Sequence, residues 1–212
     1  MQNTEIDMLN WHEVLRELET IFLSRQDAGS AESRHIEQLL KNMEYLRDDI
    51  SVQERPPQSL DVNRRFPVRT FVDKTTDYAA LISDLDQVSE MLRWEQGYEN
   101  IPEDLKDSFA YCHLMGVNSH IYSEKMVIGL MLLAPRTDYP AHKHEDIQSL
   151  YLCLTGKPTI NGSLLGSGDT YFVETSSPHE IRTGDAPTLL LYSWLGNKRA
   201  LVENRMKFID NG

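Results

Sequence analysis

Three histidines in the second half of the chain have the spacing of metal ligands. His142 and His144 are separated by one residue in a segment with strand character, so both imidazoles should project to the same face. His179 follows later, after a turn that contains Gly168 and Asp169. Two histidines on one strand and a third on a facing strand can present three nitrogens and leave metal positions open for a substrate. The pattern predicts a site for one divalent ion, with zinc, iron, manganese and nickel all left open.

The remaining histidines have no comparable arrangement in the sequence. A single histidine is more often an exposed residue or a hydrogen-bonded core residue than a ligand. We therefore interpret four of them as ordinary surface or core residues: His12, His35, His113 and His120.

Helices are predicted in the first half of the chain, where apolar residues recur near the 3.6-residue period. Proline followed by acidic residues at Pro102 also suits a first helical turn. The predicted helices are Met8–Leu23, a second that begins near Ser30 and continues to Leu46, Tyr78–Gln96, and a fourth from Pro102 to near Gly116.

After Asn118 the pattern changes to short apolar runs between turn residues, which indicates a β-sandwich or small barrel. The pair Asn161-Gly162 predicts a type I′ hairpin turn, because both residues tolerate positive φ. We expect a helical region over residues 1–117, a β-barrel over 118–200 and a tail over 201–212. The predicted strands are Met126–Leu133, Ser149–Leu154, Lys157–Ile160, Asp169–Glu174 and Pro187–Trp194.

The composition narrows the class of partner. The 212 residues carry a formal net charge of −12, which argues against nucleic acid or an anionic membrane as the partner. Cys112 and Cys153 fit neither a disulfide framework nor a zinc motif, and the polar, acidic N-terminus does not have the pattern of a signal peptide. We expect a cytoplasmic protein. The oligomeric state is left open, and the amphipathic N-terminal helices offer a surface for a homodimer.

The segments around the three histidines resemble the two cupin motifs, in which a His-x-His pair precedes a glycine that closes the strand. More narrowly, they are similar to the bacterial dimethylsulfoniopropionate lyases of the cupin type, over roughly residues 90–197. The segments that carry the likeness are Leu132–Pro135, Tyr139–His144, Tyr151, Pro178–Asp185 and Leu190–Trp194, with Trp94–Glu99 upstream.

This resemblance implies a single cupin β-barrel, or jelly roll, behind a helical N-terminal half. It implies a small-molecule carboxylate as substrate and a metal-dependent carbon–sulfur lyase that cleaves dimethylsulfoniopropionate by β-elimination to dimethyl sulfide and acrylate. Tyr151 would be the base and Tyr139 the second active-site tyrosine. His144 and His179 would bind the metal, and His142 would line the site or join the ligands.

Aromatic side chains near the end of the chain suit the leaving group. A sulfonium is a cation that donates no conventional hydrogen bond, so aromatic faces should bind it. Tyr192 and Trp194 are two residues apart on a predicted strand and should share one face, where substrate binding and ordinary strand packing are equally good explanations.

One position departs from the family pattern. Two residues before the tyrosine, where the family has a metal-binding glutamate, this chain has Ser149, preceded by Gln148. Gln148 could bind the metal through its amide oxygen without adding negative charge. The alternative hypotheses are therefore a cupin that acts on a different small substrate or only binds a ligand, and a scaffold without a metal whose N-terminal helices mediate assembly.

Overall fold

The computed structural model of the chain describes residues 2–26, 29–46, 52–73, 77–97, 101–203 and 206–209. The helices in these ranges are α1 (Gln2–Leu23), α2 (Ala31–Glu44), α3 (Asp61–Arg65), α4 (Ala79–Gln87) and α5 (Lys198–Glu203). The strands are β1 (Phe109–Gly116), β2 (Ile121–Tyr122), β3 (Val127–Leu133), β4 (Asp138–His144), β5 (Ile147–Thr155), β6 (Thr159–Ile160), β7 (Ser163–Leu164), β8 (Thr170–Val173), β9 (His179–Arg182), β10 (Thr188–Gly196) and β11 (Met206–Phe208).

The strands form two sheets that enclose a shared interior. One sheet has six strands in the order β2-β1-β3-β10-β5-β8, and the other has five in the order β11-β4-β9-β6-β7. Side chains from both sheets pack together in one buried apolar cluster between them. The prediction of a mainly β protein with helices in its N-terminal part is confirmed, although the hydrogen bonding described here does not join the two sheets into a closed barrel.

The N-terminal helices cover the outer face of the six-stranded sheet. Because successive side chains of a strand point to opposite faces, Leu150 and Leu152 of β5 pack outward against the helices, while Tyr151 and Cys153 point into the interior. On the helical side, Trp11 is among the large side chains with no exposed surface. The six-stranded sheet is therefore buried on both faces, and the site-bearing interior lies on the side away from the helices.

The helical predictions succeed for the first two helices and fail for the fourth. The N-terminus of α2 is capped by Ser30, whose side chain accepts a hydrogen bond from the Ser33 amide. The predicted third helix ends at Gln87 rather than Gln96. In place of the fourth, Glu103–Leu105 forms one 3₁₀ turn and is followed by β1. The proline-and-acid signal marks a real turn, but pairing with β3 then imposes a strand on the apolar residues that follow.

The strands extend beyond the predicted barrel limits on both sides. Strand β1 precedes the predicted boundary at residue 118, yet it lies in the six-stranded sheet beside β3. The predicted tail contains β11, which pairs with β4. The predicted hairpin turn is confirmed, since Asn161 and Gly162 have φ of 48° and 79° between the paired strands β6 and β7. Among the described residues, no helix has the length and apolar character needed to cross a membrane.

A glycine in the middle of β3 allows neighbouring strands to place large side chains over it. Gly129 is paired with His113 of β1 on one side and with Tyr192 of β10 on the other. A Cβ atom at this position would lie 2.4 Å from the carbonyl oxygen of Cys112 and 2.5 Å from the Tyr192 ring. The absent side chain is therefore a steric requirement of this part of the interior.

We expect Gly129→Ala to lower the free energy of unfolding by about 1–3 kcal/mol, because the added methyl group meets rigid backbone and a packed ring. Urea denaturation measures the loss. Gly184→Ala is the matched control, since a Cβ there meets nothing within 4 Å, and its effect should stay below about 0.5 kcal/mol. Equal losses in the two variants would contradict this account of Gly129.

Candidate metal centre

The three histidines of the sequence pattern meet between the two sheets. His142 and His144 lie on β4, and His179 of β9 is directly opposite His142 in the antiparallel pair. The ring centroids of His142 and His179 are 4.1 Å apart, and one nitrogen from each of the three rings lies within 4.8 Å of the others. All three are buried, with at most 3% of any of them exposed. The separation suits coordination of one ion after small rotations of the rings.

Backbone carbonyl groups orient two of these rings. Nδ1 of His142 lies 3.0 Å from the carbonyl oxygen of Pro140, and Nδ1 of His179 lies 3.4 Å from that of Ser177. With its proton on Nδ1, each ring donates to the carbonyl group and leaves Nε2 as the unprotonated nitrogen. A backbone hydrogen bond of this kind commonly holds the ring of a metal-binding histidine.

The environment also keeps these imidazoles neutral. Burial lowers the pKa of His142 well below its usual range, and the neighbouring histidines lower it further. Burial lowers the pKa of His179 to about 4. Because a ligand must be unprotonated to bind a metal, the histidines already hold the form that binding requires. The residues present therefore fit a divalent cation.

No acidic side chain among the described residues joins this cluster. Three neutral ligands would leave the full charge of a divalent ion uncompensated by the protein. Such a centre should attract an anionic group, and a carboxylate is the simplest small-molecule example.

Tyr151 of β5 reaches across from the opposite sheet. Its hydroxyl lies 2.8 Å from Nε2 of His179, and its side chain is buried. Burial alone raises the pKa of Tyr151 above its usual value, since a phenolate in an apolar interior lacks solvation. The tyrosine predicted to act as the base therefore lies in direct contact with a predicted metal ligand.

A bulge in β4 brings Tyr139 to the same side as the histidines. Simple alternation would place Tyr139 and His142 on opposite faces, but the pairing with β9 shifts register between them. The Tyr139 ring then meets the His142 ring edge to face, with centroids 4.8 Å apart. The bulge thus brings Tyr139 of β4 to the three predicted ligands, so that four predicted site residues of β4 and β9 lie together.

Two aromatic residues of β10 complete the interior wall. Trp194 lies 4.8 Å from His144 and 4.8 Å from Tyr192, measured between ring centroids. Both rings belong to the buried cluster between the sheets, as their two-residue spacing predicts. The structure therefore places the predicted aromatic wall beside the histidine cluster.

A sequence model of the dimethylsulfoniopropionate lyase family matches residues 30–190 of this chain. The chain belongs to the dimethylsulfoniopropionate lyase family. It is 29% identical over 205 residues to DddL of Cereibacter sphaeroides, to which the same lyase activity is ascribed, and the match covers 95% of this chain and 88% of DddL. It is 28% identical over 130 residues to the dimethylsulfoniopropionate lyase DddQ of Ruegeria pomeroyi, covering 58% of this chain and 64% of DddQ.

Solved structures of dimethylsulfoniopropionate lyases share the fold. The crystal structure of DddQ from Ruegeria pomeroyi aligns with a TM-score of 0.71 and 22% identity, over 96% of this chain and 98% of that chain. A chain from the crystal structures of the lyases RdDddP and RnDddQII aligns with a TM-score of 0.73 and 18% identity, over 96% and 100% of the two chains. The predicted fold class and the family resemblance are confirmed.

Gln148 was predicted to bind the metal in place of the family's glutamate. The structure does not bring its side chain to the histidines. Gln148 lies on the outer face of β5 beside His35 of α2, in a surface cleft of about 450 Å³. Burial lowers the pKa of His35 to about 4, and a hydrogen bond with Gln148 opposes that shift. Ser149 and Tyr151 alternate with Gln148 and occupy the opposite face. We therefore remove Gln148 from the proposed ligands.

One residue of the interior was missed by sequence reasoning. His113 of β1, interpreted above as an ordinary histidine, packs against Trp194 with ring centroids 5.6 Å apart and against Tyr192 at 6.1 Å. His113 reaches the interior because residues 109–116 form a strand. That segment was predicted to be helical, so the position of His113 could not be recognised. The alternation of Phe109, Tyr111 and His113 was the available signal.

We expect His144→Ala to lose most of the bound metal, because two nitrogens remain of the three. Gln148→Ala is the matched control and should retain the wild-type stoichiometry, since its side chain faces away from the centre. Metal analysis of proteins purified in parallel measures both. Unchanged metal content in His144→Ala, or loss in Gln148→Ala, would show that the ligands are wrongly assigned.

Proposed function

We propose that this protein cleaves dimethylsulfoniopropionate by β-elimination, giving dimethyl sulfide and acrylate, with one divalent metal held by His142, His144 and His179. The observation that carries the proposal is the 2.8 Å contact between the Tyr151 hydroxyl and His179 Nε2 inside a buried histidine cluster. Membership in the lyase family and the named activities of its relatives support the same reaction.

The chain's residues have separate roles in this reaction. A divalent ion bound there would supply a Lewis acid for the substrate carboxylate and positive charge that lowers the pKa of the Tyr151 hydroxyl. Tyr151, as phenolate, takes the proton from the α-carbon. The electron pair of that C–H bond forms the carbon–carbon double bond, and the β-carbon–sulfur bond breaks with its electrons retained by sulfur. Neutral dimethyl sulfide leaves, and the proton stays on the Tyr151 oxygen.

The aromatic wall gives the leaving group its place. Trp194 and Tyr192 present ring faces next to the histidine cluster, and a sulfonium cation is attracted to such faces. Tyr139 closes the side near His142 and helps to exclude water. Since Trp194 contacts His144 directly, a short substrate can reach the metal centre with its carboxylate and the rings with its sulfonium.

The donor set supports some metals over others. Imidazole nitrogen suits zinc, iron and nickel, whereas carboxylate and carbonyl oxygen suit manganese. We therefore propose zinc, iron or nickel ahead of manganese. The homodimer and the cytoplasmic location expected from the sequence stay predictions.

A second candidate function follows from the serine at the family's glutamate position. Ser149 is buried and pairs with Trp194 across β5 and β10, so the position faces the interior but supplies no carboxylate. A centre without that negative charge could act on a different small carboxylate, or could bind one without turnover. This candidate predicts a metal-loaded protein that releases no dimethyl sulfide.

We expect Tyr151→Phe to reduce dimethyl sulfide release by at least about 10²-fold while metal content is retained, because only the proton acceptor is removed. Headspace gas analysis with dimethylsulfoniopropionate, together with metal analysis, measures the two quantities. Tyr45→Phe, at an exposed tyrosine on the helical side, is the control and should leave release unchanged. Release at the wild-type rate from Tyr151→Phe would remove Tyr151 as the base, and no release from metal-loaded wild-type protein would favour the second candidate.

We expect Ser149→Glu to slow metal loss to a chelator, because it adds a carboxylate on the interior face of β5 next to the histidines. Gln148→Glu is the matched control: it adds the same charge one residue away on the outer face and should leave the rate of loss unchanged. The rate of metal transfer to a chromogenic chelator is the measurement. Equal rates in wild type and Ser149→Glu would argue that position 149 is not beside the metal.

A further inference from the structure

His113 occupies the interior beside Trp194. Its ring contacts Tyr111, Tyr192 and Trp194, with centroid distances of 5.3, 6.1 and 5.6 Å. The contacts with Tyr192 and Trp194 are edge-to-face, with interplanar angles of 70° and 77°. Trp194 in turn meets His144, so the indole contacts both histidines. His113 is thus next to the aromatic wall while standing apart from the proposed ligands.

The backbone is arranged to permit this contact. Gly129 separates His113 from Tyr192 in the sheet, and a side chain at that position would collide with the Tyr192 ring. Without one, the imidazole and the phenol ring approach each other over the middle strand. The glycine therefore makes His113 part of the aromatic wall.

The imidazole has an unmet hydrogen-bonding need. Its Nε2 atom is buried and has no hydrogen-bond partner among the described residues. Buried polar atoms without partners are uncommon, because each loses its bonds to water. A phenylalanine would fill the same space without that loss. The nitrogen therefore points to a partner that the protein itself does not provide.

His113 is less deeply buried than its neighbours on the strand. It is the one residue of β1 that is only partly buried, while the other seven are buried. Its ring neighbours Tyr192 and Trp194 are each only 3% exposed. A ligand group that lies against the Trp194 ring would therefore also be near His113.

We propose that His113 is a substrate-binding residue whose Nε2 contacts the sulfonium head of the substrate. This rests on the proposed function. Methyl groups on a positively charged sulfur are polarised C–H donors, and a neutral imidazole nitrogen accepts them in the tautomer that carries its proton on Nδ1. Burial lowers the pKa of His113 to about 4, so the ring adds no positive charge that would repel a cation. His113 would then select for the sulfonium end, and the histidine cluster for the carboxylate end.

The test compares His113→Phe with His113→Gln. His113→Phe keeps a ring without the acceptor, and we expect it to raise KM for dimethylsulfoniopropionate about twofold to fivefold, with kcat and metal content unchanged. His113→Gln supplies an amide oxygen as acceptor and should recover part of the loss. His12→Gln, at a histidine on the surface of α1, is the control and should match wild type. A KM unchanged in His113→Phe would overturn the inference.

A neutral analogue separates recognition of the sulfonium from general damage to the site. 4-Methylpentanoate has the same shape, with carbon in place of the charged sulfur, and should inhibit by binding its carboxylate at the metal centre. Its inhibition constant should change by less than about twofold in His113→Phe, because no charged head is involved. Equal weakening of substrate and analogue would mean that the variant disturbs the whole site, and this would also overturn the inference.

Failure of the proposed lyase reaction can be distinguished from failure of the inference on His113. If metal-loaded wild-type protein releases no dimethyl sulfide, titration calorimetry with dimethylsulfoniopropionate replaces the kinetic readout. Binding by wild type that weakens in His113→Phe would support the role of His113 even though the lyase reaction is excluded. Absence of binding to wild type would overturn both.

Discussion

Burial of β5 and β10 on both faces is the constraint on which the rest of the structure depends. The N-terminal helices cover one face with apolar side chains, and the histidine-bearing sheet covers the other. The two-residue period of a strand then directs each side chain either towards the helices or towards the interior that contains the histidines. Tyr151 points into that interior, and Leu150 packs against the helices. A shift of one residue in register would exchange them and remove the site.

The same period explains which parts of the site could be predicted from the sequence. His142 and His144 lie on the regular part of β4 beyond the bulge, and Tyr192 and Trp194 lie on a regular part of β10, so spacing alone gives the shared face of each pair. Gln148 was wrongly included among the metal ligands because only its nearness to Tyr151 in the sequence was considered. The two residues are three positions apart, so a strand places them on opposite faces. Tyr139 could be placed beside His142 only by resemblance to the family, since the bulge that puts it there depends on pairing with β9.

The errors before residue 118 have a tertiary origin. Residues 102–116 begin with a genuine turn signal, and helix propensity then carries the prediction onward. In the folded chain, β1 is stabilised by β3, whose pairing residues lie further along the sequence and leave no mark on the local pattern. His113 was overlooked for the same reason. A residue whose function depends on a strand cannot be identified while that strand is predicted as a helix.

The charge arrangement of the interior matches a zwitterion more closely than it matches an anion or a cation. At one end, neutral histidines leave the charge of a bound ion uncompensated, which draws a carboxylate. At the other end, the proposed aromatic faces and neutral imidazole would accept a cation without offering a counter-ion that would hold it after reaction. When the carbon–sulfur bond breaks, the positive charge on sulfur disappears and the attraction to the rings weakens with it. The binding that orients the substrate therefore does not oppose release of the uncharged product.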